Sequence, residues 1–487
     1  MKRILALALV LLMLLPMAIA CKKDEPVDEG PTGEVTLNTN EESGTVDLLT
    51  TIPSANYGGR EFIICIHGGA HEPQVNVEEL TGDLRNDTIY EWLTKIEAIY
   101  GVDVKAYVPD GEYYANITTE NSSGSITTAI YGHNAFELYK PVTAKMYKNW
   151  NDMGTMIDLT AARWDQTINN DATYNGVLYG LTGDLGYTKL EGAMATYFNI
   201  GMLDEIGYSD KDMYNMVDNN EWTFEKFESI VKDFYVDSDY DNKKSVGDTY
   251  GYVSVSDNSH DIWFAQFGIP LTIRDENNMI TPALYTPDNV GVIEMLQNFY
   301  HNNPGVATYW RGSSSTLFEH QYFEEGRAAM ITTRLSYAAG FAEKLGVEEY
   351  GILPAPKRTE DQPEYLTKLF EQYTIWGVGK GLNDADVDFV AHITDALCAE
   401  SSQTLYPKFY DILLKQRYSK DPDTARMVDM VMKNQFLDTT YMFGAWLDAY
   451  PHILRKCIRD KAPLASQWAS VETTLPGKLE EMYALYQ

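Results

Sequence analysis

Cysteine is scarce in this chain, and what there is excludes a covalent scaffold. Four occur in 487 residues, at Cys21, Cys65, Cys398 and Cys457, too few and too scattered for a disulfide framework. With Cys21 accounted for below, an odd number remains, so at least one thiol lacks a disulfide partner. Cys65 sits in an apolar run and reads as a small buried hydrophobe. There is no Cys-x-x-Cys pair to start a zinc site, and no Ser or Cys stands in a nucleophile elbow. Positive charge is also short: 38 Lys+Arg face 71 Asp+Glu, a net charge of −33. A field of that sign repels nucleic acid and anionic lipid, which argues against both as partners. Mean hydropathy is −0.31, and after residue 20 no apolar stretch is long enough to cross a bilayer. The body must therefore fold in water, and at this length two domains are expected.

The N-terminus carries a clear signal. Lys2 and Arg3 precede an apolar run from Ile4 to Leu15, then the small-residue stretch Ala18-Ile19-Ala20 and Cys21. This order describes a secretory signal, too short for a comfortable membrane span and followed at once by Lys22, Lys23 and Asp24. An uncleaved anchor with an incidental cysteine is the alternative. Ala18-Ile19-Ala20-Cys21 resembles the bacterial lipoprotein cleavage signature, although Ala18 stands where that signature prefers Leu. The resemblance implies a signal peptide over residues 1–20 and lipidation of Cys21, which would tether the body to the extracytoplasmic face of a membrane. Residues 21–57 are rich in Asp, Glu, Gly, Thr, Pro and Asn without period, and are expected to form a flexible tether.

The body opens as α/β. Glu61–Ile66 is a short apolar, β-branched run. Asn86 or Asp87 is placed to cap a helix with Ile89, Trp92, Leu93, Ile96 and Ile99 at helical spacing. Gly101 ends it, and Val102–Val108 alternates like a second strand. Strand, helix, strand in this compass is a βαβ unit with a parallel sheet. Ala135–Tyr139 offers a third strand. Ligands of open α/β sheets sit beyond the carboxyl ends of strands, so the loops after Ile66, Val108 and Tyr139 are expected near a cleft.

Further along, a series of landmarks appears. Asn175–Gly180, Ala195–Asn199 with Met202–Gly207, Trp222–Phe227, Phe323–Met330 and Tyr350–Pro356 follow one another in the order seen in extracellular solute-binding proteins of carbohydrate importers of the ATP-binding-cassette (ABC) type. Read physically, Thr223 is a helix cap above Phe224 and Phe227, Gly326 suits a tight turn into a buried strand, and Pro354 and Pro356 end a strand. The chain resembles family 1 of those binding proteins over nearly the whole body. The resemblance implies a two-lobed periplasmic-binding-protein-like α/β fold (type II) closing over a ligand by hinge motion. It places lobe one at residues 58–192 and 357–400, and lobe two at 193–356 and 401–487. It implies a non-enzymatic monomer that captures a sugar or oligosaccharide and delivers it to membrane permease subunits, with no required cofactor.

The ligand class is read from aromatic residues, 12% of the chain, with Tyr at 34 residues, Phe at 17 and Trp at 9. Sugar C–H faces pack on rings, and hydroxyl rims take charged or amide partners. Trp92 and Trp222 read as core, while Trp263, Trp310 and Trp376 lie in more polar settings and are candidates for the cleft, as are Glu371 and Tyr373 beside Trp376. Trp164-Asp165 matches a first-lobe position that packs in relatives. By resemblance Asp184, Tyr187 and Glu191 precede the crossover where polar contacts to hydroxyls arise. Arg334 and Tyr337 follow the Ala-Ala-Met strand, where many relatives carry Gly or Asn and then Trp. This departure opens the site to an acidic ligand, since Arg clamps a carboxylate or phosphate bidentately, although structural ion pairs use it equally often. His67, His71 and His133 stand near loops without a nucleophile, and Asp184 with Glu191 as a glycosidase pair is outweighed by chance among so many acids.

Asp237, Asp239, Asp241 and Asp248 occupy positions one, three, five and twelve of an EF-hand-like calcium loop, with the Lys243 carbonyl at seven. Asn242 replaces the turn glycine and Asp the bidentate Glu. A structural calcium is expected, with a solvated acidic turn neutralised by Lys243 and Lys244 as the alternative. The C-terminal third reads as helices over Val387–Cys398, Tyr406–Gln416, Asp423–Lys433 and Leu475–Tyr486, expected to pack on lobe two. Three rival functions stay open: a surface carbohydrate-processing enzyme, an adhesive surface lipoprotein, and a binder of peptide or another polar solute.

Overall fold

Short β-branched segments alternating with amphipathic helices build two separate sheets. In the computed structural model the described residues are 46–487 without 70, 125, 233, 256–257, 277–278, 310–317, 347–348 and 411–421. The expected signal peptide over residues 1–20, Cys21, Trp310 and the second half of the helix expected over Tyr406–Gln416 lie outside them. In chain order the main elements are β1 (Arg60–Ile66), α1 (Leu84–Tyr100), β2 (Val102–Tyr107), α2 (Tyr113–Ser123) and β3 (Thr128–Asn134). Then come β4 (Met194–Asn199), α3 (Phe224–Lys232), β5 (Tyr235–Val236), β6 (Thr249–Val255), α4 (Asn258–Gln266) and α5 (Pro287–Asn302). The chain continues with β7 (Val306–Tyr309), β8 (Ala328–Arg334), β9 (Tyr350–Leu353) and β10 (Thr374–Gly377). It finishes with α6 (Val387–Gln403), α7 (Pro422–Lys433) and α8 (Leu475–Leu485).

The first sheet has the order β10-β3-β1-β2, with β1 parallel to both β2 and β3 and β10 antiparallel to β3. The second runs β9-β4-β8-β6-β5, with β7 added beside β6. In it β6, β7 and β8 are parallel, while β4 runs against β8 and β9. Each sheet centres one lobe. The chain passes between them where it enters β4 through 192–194, where it returns from β9 to β10, and again between α6 and α7.

Local chemistry explains the boundaries. Helix α1 begins at Asp83, whose carboxylate accepts the N–H groups of Arg85 and Asn86, so the cap is Asp83 rather than Asn86 or Asp87. It ends at Gly101 in the left-handed region, where a side chain would strike Asn56. Ile89, Trp92, Leu93 and Ile96 are buried, whereas Ile99 faces solvent. The expected third strand at Ala135–Tyr139 is a 3-10 turn leading into a short helix; the strand is Thr128–Asn134, buried throughout. Its polar end, His133 and Asn134, hid it, because these side chains are buried inside the fold rather than facing water. At Gly132 any side chain would collide with Ile66 and Trp376, which lets β10 lie close.

The body starts earlier than residue 58. Leu48–Thr51 forms a 3-10 turn capped by Asp47, and Leu49 and Ile52 are buried in the core. From Asp47 the chain is one compact unit. Of the C-terminal helices, the one over Val387–Cys398 packs on lobe one rather than on lobe two. Helix α6 packs on α1 of lobe one, and α7 packs on β9 and α3's lobe. Helix α8 bridges the two: the Tyr179 hydroxyl donates to the Leu485 carbonyl at 2.8 Å, and the Tyr483 hydroxyl meets the Ile280 N–H. No described helix is long and apolar enough to cross a membrane.

The lobes are held by different materials. Lobe one buries a bidentate pair, Arg163 to Asp395, with both bonds at 2.7 Å and the Trp164 indole N–H donating to the same carboxylate at 3.0 Å. Lobe two buries an aromatic cluster in which Trp263 meets Phe224, Phe227, Phe267 and Phe299, and donates to the Tyr300 hydroxyl at 2.7 Å.

Candidate functional site

Parallel strands all present their carboxyl ends on one edge, and there the backbone turns away to leave a crevice. In lobe one, β1, β2 and β3 end at Ile66, Tyr107 and Asn134, and a recess of about 440 Å³ opens there. Its polar lining comes from His67, Glu112, Tyr114, Glu137 and Lys140. Lys140 Nζ lies 2.5 Å from Glu137 and 4.6 Å from the centre of the Tyr114 ring. The Tyr114 hydroxyl donates to the other Glu137 oxygen at 2.9 Å. Burial opposes ionisation of Glu137, but Lys140 and Tyr114 hold its carboxyl below the usual range.

Lobe two repeats the arrangement. Its recess, about 70 Å³, lies at the end of β8 and the start of β4, lined by Met194, Ser259, Phe318, Glu319, Thr333, Arg334, Tyr337, Phe370 and Gln372. Arg334 lies with its guanidinium 5.2 Å from the Tyr337 ring centre and 5.0 Å from that of Phe370. It donates to the Tyr337 hydroxyl at 3.1 Å and reaches Gln372 at 3.4 Å. Tyr337 in turn stacks on His320, 4.5 Å away and tilted by 18°.

One segment joins the recesses. The N–H groups of Ala135 and Phe136 donate to the carbonyls of Tyr373 and Glu371 at 3.0 and 3.2 Å, and the N–H of Phe370 donates to Gly192 at 2.9 Å. Residues 370–373 thus run from the carboxyl end of β3 to the entry of β4. Phe370 and Gln372 are turned into lobe two's recess, while Glu371 and Tyr373 are buried on the opposite side.

The side chains singled out from sequence divide accordingly. Arg334 and Tyr337 line the recess. Glu191 sits beside it, 3.9 Å from Arg85, its pKa raised by burial against the pull of Arg85 and Arg334. Tyr187 is buried and stacked on Phe409 at 3.8 Å. Asp184 accepts from the Ser402 hydroxyl at 2.7 Å, which fixes it to α6, and burial raises its pKa. Glu371 pairs with buried Lys368, and Tyr373 is packed inside. Two tryptophans placed at the cleft from sequence are core: Trp263 is 0% exposed and Trp376 is 1% exposed. Trp376 donates to the Leu185 carbonyl at 3.1 Å, and its ring covers Gly132. Their polar sequence neighbours, Ser259, His260 and Asp261 among them, are themselves buried, so local polarity gave a false sign of exposure.

The lobe-one lining was reachable only through the loop rule, which located the ends of β1 and β2 but not the side chains. His67 and His71 stand at His-x-x-x-His spacing, yet they lie on a loop and a 3-10 turn. His71 is locked between Thr374 Oγ1 at 2.7 Å and Asn134 Oδ1 at 2.6 Å. Burial lowers the pKa of His71 to about 4 and that of His133 to about 3.

Away from the recesses, Asp237, Asp239 and Asp248 bring carboxylate oxygens within 4.8 Å of one another, the one such group among the described residues. Asn242 adopts φ +60°, the left-handed backbone that the loop spacing requires there. Partial desolvation, then the neighbouring carboxylates, raises the pKa of Asp239. Burial acts against ionisation of Asp248, but N–H groups of Ser238 and Ser245 keep it ionised, at 3.0 and 2.7 Å. Asp241 stands outside the trio and accepts the Lys243 N–H at 2.7 Å, while the Lys243 carbonyl lies 3.5 Å from the Tyr235 hydroxyl.

No protein-family model matches the sequence, and no curated protein matches it either. Solved structures do match in fold. An ABC substrate-binding protein from Listeria monocytogenes in complex with cycloalternan shares 14% identity, with 87% of this chain and 99% of that chain covered at a TM-score of 0.56. A glycerophosphocholine complex of UgpB from Mycobacterium tuberculosis gives 13% identity, 87% and 98% coverage and a TM-score of 0.55. An ABC transporter solute-binding protein from Thermotoga lettingae bound with α-D-tagatose gives 11%, 87% and 100%, and 0.54. The architecture is that of two-lobed periplasmic solute-binding proteins.

Proposed function

We propose that the chain is an extracytoplasmic solute-binding protein, tethered through Cys21, that captures a sugar or oligosaccharide between its lobes and passes it to the permease of an ABC importer. The observation that carries this reading is the pair of polar, aromatic-edged recesses at the carboxyl ends of the parallel strands of both lobes, joined by residues 370–373. Closing the lobes would bring hydroxyl partners from lobe one against rings and Arg334 from lobe two, which suits a polyhydroxylated ligand. The solved neighbours named with sugars, cycloalternan and tagatose, support the same ligand class. Capture followed by release to a partner requires no bond to break. The Asp237–Asp248 loop we propose as a calcium site that braces lobe two.

A thermal-shift screen of the body from residue 22 onward tests the reading. Any sugar at a hundred times its Kd should stabilise the fold by about 2.7 kcal/mol, with the sugar recovered intact. A panel of mono- and oligosaccharides that leaves the melting temperature unchanged, or that is cleaved, would count against capture.

A further inference from the structure

We infer that the captured solute carries an anionic group, a carboxylate or a phosphate, and that Arg334 in the recess of lobe two receives it; this rests on the binding role proposed above. Eight described arginines have a carboxylate beside them, the longest pair being Arg85–Glu191 at 3.9 Å. Arg334 has none among the described residues. Its guanidinium reaches only neutral oxygens, those of Tyr337 and Gln372. In a chain with 71 acids for 38 bases, a missing counter-ion does not reflect a shortage of acids. Of the carboxyl groups that share its surroundings, Glu191 feels the Arg334 charge but makes its ion pair with Arg85, and Glu319 takes the Thr333 hydroxyl at 3.4 Å.

The setting suits an anion that presents two oxygens side by side. Tyr337 and Phe370 fix the guanidinium, which leaves donors of its rigid fork for a carboxylate or phosphate in two parallel hydrogen bonds. Partly stripped of water and without a carboxylate in direct contact, the charge gains more from an arriving anion than a solvated lysine would. The recess, at about 70 Å³, is small beside ligand pockets of roughly 300–1,000 Å³, so it admits a head group rather than a whole ligand. The larger recess of lobe one offers no equivalent cation, since Lys140 is already neutralised by Glu137. The ligand is thereby oriented, anionic end to lobe two and hydroxyls to lobe one.

Calorimetric titration of the body from residue 22 onward tests this with matched probes: oligogalacturonates against neutral galacto-oligosaccharides, and glucose 1-phosphate against glucose. The acidic member of at least one pair should bind more tightly, and the pair that responds identifies carboxylate or phosphate. Arg334→Gln should weaken the acidic probe by about 10- to 100-fold, the value of a hydrogen bond to a charged group, and the neutral probe far less, because Gln still offers a hydroxyl a hydrogen-bond donor. Arg334→Lys, which keeps the charge but not the fork, should fall between. An unchanged melting temperature of both ligand-free variants separates binding from folding. Neutral probes binding as tightly as acidic ones, or Arg334→Gln weakening both alike, overturns the inference while leaving sugar capture standing. Failure of every probe overturns both.

Discussion

The two lobes place their recesses at the same topological position but balance charge in opposite ways. In lobe one, Lys140 is compensated by Glu137 2.5 Å away, and the cavity is wide. In lobe two, Arg334 is wedged between rings with neutral partners only, and the cavity is narrow. The contrast extends to the cores, an ionic lock at Arg163–Asp395 against an aromatic cluster at Trp263. Fold fixes where a ligand can sit, whereas the pairing of individual charges decides what kind of ligand gains by sitting there.

The sharpest way to break the comparison is in the cores. Trp263→Ala should cost roughly 3–5 kcal/mol, read by urea denaturation, because the ring's neighbours cannot collapse into its space. Asp395→Asn should cost about 3–5 kcal/mol as well, since it strands the buried Arg163 charge. Neither is expected to discriminate between acidic and neutral ligands. If either variant denatures like the wild type, the corresponding lobe is not held as described.

Calcium should separate the lobes next. At a hundred times its Kd the ion should add about 2.7 kcal/mol, seen as a raised melting temperature that chelator reverses and Asp239→Asn abolishes. No change with calcium would leave the loop as a solvated acidic turn.

Acid should act on both lobes, more on lobe one. His71 and His133, buried and neutral, have folded pKa values of about 4 and about 3, below the unfolded value. The unfolded chain therefore takes up protons first as pH falls. Their contribution is complete above pH ~6.5 and is lost on acidification, each by up to about 1.4 kcal/mol per pH unit. His260 in lobe two, lowered by burial to about 3, acts in the same sense. Asp438, raised by burial to about 6, opposes them, because its contribution is present at low pH and lost as pH rises. Denaturation series at pH 7 and 5 should show net loss at the lower pH; equal stability would mean the histidines are not buried neutral.

The smallest effect sharpens the charge contrast. Glu137→Gln releases Lys140, a half-exposed pair worth roughly 0.5–1 kcal/mol. An acidic oligosaccharide should then bind a few-fold more tightly and a neutral one unchanged. Weaker binding of both would make Glu137 itself the hydroxyl acceptor that matters.

Much of lobe one was legible. Glu61–Ile66 and Val102–Val108 announce their strands, and Gly101 its helix end, because these depend on residues within a turn or two. The Thr223 hydroxyl oxygen does accept the Lys226 N–H at 3.3 Å, and Gly326 does take a positive φ of 66° before β8. The third strand and the aromatic cleft wall were not legible. His133, His260 and Asp261 look solvent-loving in sequence but are buried, each held through part of its side chain, as Asp261 is by Arg455 far along the chain. Arg334 and Tyr337 stood out only by departing from a family pattern, and nothing local distinguished them from Trp263 or Trp376.

By itself, the sequence determined the alternation of strands and helices and the strongly acidic charge, since periodicity, capping and net charge are local or additive. The two-lobed class followed from the resemblance carried by its ordered landmarks. Only the tertiary structure decided which polar residues face solvent, which tryptophans are core and which arginine lacks a carboxylate. Those properties belong to pairs of residues brought together from distant parts of the chain, and burial and charge compensation exist only once the pair has formed.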